Sequence, residues 1–138
     1  MNECDALATY DAFQTHSLPK VEWTHHAHLA ACWSALQCLD GASALVALRA
    51  EIRSYNEATG VSNTDSSGYH ETLTRYYVGA VASQLHNGLP AVLSSDVCDR
   101  SAPATYWSRD RLFTPSARLG WVEPDRQPLP WTTSIAPD

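Results

Sequence analysis

The segments Trp23-Thr24-His25-His26-Ala27-His28-Leu29 and Gly68-Tyr69-His70-Glu71-Thr72 hold the side chains best suited to chemistry. Imidazole is the one side chain whose ordinary pKa lies near neutrality, so as a neutral ring it can bind a metal or accept a proton. On a helix, successive residues turn by about 100°. Counted from His25, the positions His28, Leu29, Cys32, Leu36 and Leu39 share one side, an apolar, core-facing stripe. His26 points about a quarter turn away, with Ala30, Trp33 and Gln37. The same count in the second segment joins His70 to Leu73, Thr74, Tyr77 and Val81, and sets Glu71 at the stripe's border, four residues before Arg75. Each inward histidine falls in the first turn of its helix. There the positive end of the macrodipole and burial both disfavour imidazolium.

Three chemistries follow from that placement. If the two helix starts lie side by side, His25, His28 and His70 converge as ligands for a divalent transition metal, Zn, Fe(II), Cu, Ni or Mn. Glu71 would then act as general base or weak fourth ligand, and Arg75 would orient Glu71 or bind an anionic substrate group. A metal with an open position would activate water, oxygen or an enolisable substrate. The second chemistry is metal-free: a cyclase or isomerase using neutral His and Glu as acid and base. The third is a ligand- or metal-binding protein without turnover, beside which stands the purely structural histidine that satisfies hydrogen bonds in a core. The His-x-x-His spacing alone is weak evidence, well short of a His-Glu-x-x-His helix. Expectation centres on a metal-dependent enzyme for a small organic substrate, aromatic or polyketide-like. Trp23 and Tyr69, each just before a histidine helix, and Tyr77 on the His70 stripe would line its pocket; stapling of helix ends is the alternative role for the first two.

Four main helices would position these residues, at about 3–16, 25–39, 42–58 and 69–86, with Thr24 as N-cap of the second. Asp40-Gly41, Thr59-Gly60 and Asn87-Gly88 are the stop signals. A short helix is expected at 90–95, and helical turns within 106–112 and 115–121. The segment 123–131, with three prolines, should run extended across the bundle. Strand signals are nearly absent. The fold class is therefore all-α, one helical domain over residues 1–138 with an irregular, Pro- and Trp-rich C-terminal wrap. Trp107, Trp121 and Trp131 would pin that wrap, and Arg118 and Asp125 would either hold it or contact substrate.

Composition narrows the partners. Hydrophobic residues at 44% and charged residues at 17% are globular proportions. A net charge of −6 with scattered basic residues argues against nucleic acid and anionic lipid. No apolar run approaches the roughly 20 residues of a membrane span, and the acidic start is unlike a signal peptide. Cysteines at 4, 32, 38 and 98 form no Cys-x-x-Cys pair, which fits reduced, packed thiols and a cytoplasmic setting. A small-molecule substrate and a second copy of the chain are the remaining partners.

Taken together, W23-T-H-x-x-H-L29, R53-x-Y-N-x-x-x-G60 and G68-Y-H-E-T-L-T74 resemble a little-characterised group of small helical bacterial proteins. Ala117-Arg118, Trp121-Val122-Glu123-Pro124-Asp125 and Pro128-Leu129-Pro130 extend the resemblance over most of the chain. It implies a shared cluster at His25, His28, His70 and Glu71, and implies no particular reaction.

Overall fold

Each long helix begins at a side chain able to cap it. In α1 (Glu3–Gln14), Asn2 accepts from the Asp5 amide and Asp5 accepts from the Asn2 amide, a reciprocal capping box. Thr24 caps α2 (His25–Ala35) through the Ala27 amide, as the sequence predicts, and Asp40 caps α3 (Gly41–Ala58) through the Ser43 amide. The cap of α4 (Glu71–Gln84) is His70, whose Nδ1 accepts from the Leu73 amide at 3.2 Å. His70 therefore stands just outside the helix rather than in its first turn.

The computed structural model describes residues 1–131, so residues 132–138 of the expected domain lie outside it. Among the described residues there is no strand, and the fold is all-α as expected. Short helices follow the four long ones: α5 (Leu89–Ser94), α6 (Pro103–Tyr106), α7 (Arg109–Leu112) and α8 (Pro115–Leu119). One further boundary departs from expectation. The helix expected to reach Leu39 stops at Ala35 and loosens into turns before the Asp40 cap of α3, leaving Leu39 exposed. No helix among the described residues is long and apolar enough to cross a membrane.

The helix α2 is central, packing on α1, α3, α4 and α5. Its Leu29, Ala30 and Trp33 join Leu45 and Leu48 of α3 and Tyr76, Val78 and Val81 of α4 in the main core. A smaller core of Phe13, Leu18 and Tyr55 sits beside it, with Trp23 and Tyr10 against it. Cys32 and Cys98 are buried free thiols, whereas Cys4 and Cys38 are exposed, so packing accounts for only two of the four.

The C-terminal wrap is tied down group by group. The Trp107 Nε1–H donates to the Val122 carbonyl at 3.0 Å, and Thr72 donates to the Gly120 carbonyl at 2.8 Å. Asp125 accepts from both the amide and hydroxyl of Ser108, and Arg118 donates to the Gly68 carbonyl at 2.8 Å. Arg118 and Asp125 thus hold chain segments together. Trp131 lies on α4, against Tyr76 and Gly79. A Cβ at position 79 would stand 2.5 Å from the indole Nε1. Gly79→Ala should therefore lower stability by about 1–3 kcal/mol, the usual cost of overpacking. An open helical site would instead gain up to ~1 kcal/mol from the same change. Urea unfolding of the two proteins decides the sign.

Candidate functional site

Between α2, α3 and α4 opens a cleft of about 570 Å³ lined by His25, His28, Cys32, Ile52, Tyr69, His70 and Tyr77, with Trp23 and Arg100 also on its walls. The three expected histidines thus share one cleft, together with the three expected aromatic residues. Their ring nitrogens are differently employed. His28 stacks on Trp23 with centroids 3.8 Å apart, and Trp23 stacks on Phe13 at 4.2 Å. His28 Nδ1 lies 2.7 Å from the Thr24 carbonyl oxygen. A carbonyl can only accept, so Nδ1 carries the proton and Nε2 keeps its lone pair. Burial lowers the His28 pKa to about 4, and the nearby His25 and Arg100 charges act the same way against the Thr24 bond. The ring is neutral at pH 7, its tautomer is fixed, and Nε2 has no partner among the described residues.

His25 follows the same logic with the nitrogens exchanged. Its Nε2–H donates to the Cys98 carbonyl at 2.8 Å, leaving Nδ1 unpartnered among the described residues. Tyr77 meets the His25 ring edge-on at 5.3 Å while donating its hydroxyl to the Asp99 carbonyl. His70 is different. Nδ1 accepts from the Leu73 amide and Nε2–H donates to the Leu112 carbonyl at 2.9 Å, so both nitrogens are spent on the fold. Burial lowers its pKa as well.

These bonds bear on the expected metal. Among the described residues no group of three or more His, Cys, Asp or Glu is disposed to hold an ion. The donor set of His25, His28 and His70 offers two imidazole lone pairs, not three, so it does not fit the three-histidine centre expected from spacing. Cys32 adds no soft ligand, because burial pushes its thiol up to about 12.

Glu71 and Arg75 line a second cleft and are absent from the histidine cleft, where both were expected. The extended cap His70 and the first helical residue Glu71 diverge enough to reach different clefts. Arg49 grips Glu71 through Nε at 2.9 Å and Nη2 at 2.7 Å, and the Tyr69 hydroxyl donates to it at 2.7 Å. Burial pushes the Glu71 carboxyl up, but these donors and the Arg75 charge outweigh it and hold it below the usual glutamate value. A carboxylate so occupied is a poor base. The helical pair expected between Glu71 and Arg75 is replaced by the α3–α4 pair with Arg49. Arg49 borders the Leu45–Leu48–Ile52 stripe by the 100° count, a legible sign that a charged residue faced the core. Arg100 carries no such signal, since it follows a 3-10 turn with no periodicity.

Comparison with models of protein families, with curated proteins and with solved structures finds no match to this chain.

A pH test follows from the lowered imidazoles. A histidine whose folded pKa lies below its unfolded value of 6.5 favours folding only while neutral. His28 thus contributes stability above about 6.5 that is lost as the pH falls towards 4, at up to roughly 1 kcal/mol per pH unit. His70 acts in the same direction. Urea midpoints measured across this window should fall less steeply for His28→Gln than for wild type. Parallel curves would show that His28 titrates normally in the folded protein.

Proposed function

We propose that this protein binds a small planar organic molecule, aromatic or polyketide-like, in the histidine cleft and moves a proton on it without a metal, with His28 as general base. The observation that carries the reading is the His28 ring: neutral, oriented by Thr24 and Trp23, with Nε2 bare at the cleft. A conjugate acid near 4 makes it a weak base that is fully unprotonated at neutral pH. Such a base suits a carbon already acidified by flanking carbonyls, the repeating pattern of a polyketide. The proton would pass from that carbon to Nε2 and the electron pair to the carbonyl oxygen, with the Arg100 cation on the cleft wall to offset the charge. Return of the proton at another carbon completes an isomerisation. Trp23, Tyr69 and Tyr77 supply flat apolar walls, and His25 Nδ1 is a second acceptor for a substrate hydroxyl.

Glu71 has no part in this chemistry and serves the fold. Glu71→Gln should lower stability by about 1–2 kcal/mol, discounted because Arg49 is 41% exposed, and leave any rate per folded molecule unchanged.

The acid–base reading can be tested before a substrate is known. 5-Nitrobenzisoxazole is a planar aromatic that opens to a coloured phenolate when one proton is removed. Wild type should accelerate this opening with a rate flat from neutral pH down to a limb near 4. His28→Gln should lose at least about tenfold, a modest share of what a placed base contributes. Dialysis against EDTA should change nothing. Equal rates in wild type and His28→Gln, with the probe still bound, would leave a binding protein without turnover. A rate abolished by EDTA and restored by one of Zn, Fe, Cu, Ni or Mn would return the site to metal chemistry.

A further inference from the structure

We infer that the second cleft is an anion site for a phosphate-bearing small molecule, separate from the histidine cleft and independent of what that cleft does. It encloses about 900 Å³ and is lined by Arg49, Arg53, Arg75 and Arg118. Four of the nine basic residues of a chain with net charge −6 therefore gather on one concavity.

The four guanidiniums differ in how far the fold employs them. Arg49 is spent on Glu71, and Arg118 uses one nitrogen, Nη1, on the Gly68 and Tyr69 carbonyls. Arg75 forms no side-chain hydrogen bond to any described residue, although its Nε is buried. Its guanidinium lies 4.5 Å above the Trp121 ring, so stacking holds the fork in place while its donors go unanswered. Partly buried guanidinium donors in folded proteins normally find acceptors. Arg53 is exposed and also has no side-chain partner among the described residues. Arg53, Arg75 and most of Arg118 remain for a ligand.

Opposing charge in the cleft comes from Asp65 and Glu123 besides Glu71. Asp65 is exposed, and the exposed Glu123 carboxylate accepts from the Trp121 indole at 3.0 Å. Neither forms an ion pair with these arginines. Planar, always-charged forks suit the several acceptor oxygens of a phosphate, and three of them favour a dianion over a single carboxylate.

Calorimetric titration of the full chain with inorganic phosphate at constant ionic strength tests this. Saturable binding at one site is expected for wild type, weakened about tenfold in Arg75→Gln and severalfold in Arg53→Gln. Arg126→Gln, outside the cleft, should bind as wild type does. Arg53 makes no side-chain bond to a described residue, so that variant carries the test if Arg75→Gln fails to fold. No saturable binding in wild type overturns the proposal. So does an equal loss in Arg126→Gln, which would mean a response to overall charge. Because none of these variants touches the histidine cleft, failure here leaves the proton-transfer reading standing.

Discussion

The site depends on a stack of three rings. Phe13 comes from α1, Trp23 from the turn before α2, and His28 from α2's first turn; Tyr55 of α3 closes the group from the side. Offset and tilted aromatic contacts of this kind contribute about 0.5–1.5 kcal/mol each beyond the area they bury. Their directionality matters as much. The stack sets the plane of the imidazole, and the Thr24 carbonyl then fixes its rotation. Because Thr24 also caps α2 through its hydroxyl, one residue both starts the helix and selects the tautomer of the histidine above it. The Tyr55 hydroxyl reaches the Leu18 carbonyl at 2.9 Å, which holds the incoming loop and with it the position of Trp23.

A second division of labour is made by α4. Its cap, His70, and its first residue, Glu71, are neighbours in sequence but serve two clefts. Tyr69 spans both, with its ring on the histidine side and its hydroxyl on Glu71. Three consecutive residues thus form the partition between an apolar cavity holding weak bases and an arginine-lined one.

Much of this was readable from residue spacing. The wheel count separated inward His25 and His28 from exposed His26 and named Leu29 and Cys32 as core; that both helix starts share one cavity was a condition it left open, and the packing of α2 on α4 meets it. It failed where an atom's fate depends on a distant backbone group. Nothing in the spacing says that the Cys98 carbonyl takes His25 Nε2, or that the Leu112 carbonyl takes His70 Nε2. Those acceptors come from short turns late in the chain, where periodicity is absent. Metal ligation was expected from three imidazole lone pairs, and the fold spends one of them, that of His70, on the Leu73 amide, while His25 and His28 give up only their N–H groups. The wrong partner for Glu71 has a similar origin. Spacing within one helix suggests Arg75, whereas Arg49 approaches from another helix with both nitrogens in place.

The contact of Trp131 with Gly79 has a consequence for how the molecule is made. A ribosome releases the chain from its N-terminus, so α1 to α4 emerge well before residue 131. Until then Gly79 and Tyr76 lack the indole that lies against them. The Trp131 contact therefore forms only after the four long helices have been made, and the Tyr76 ring it covers is by then already flanked by Tyr106 and Trp107. A chain that stopped short of residue 131 would leave Gly79 and that side of Tyr76 without the indole that lies against them.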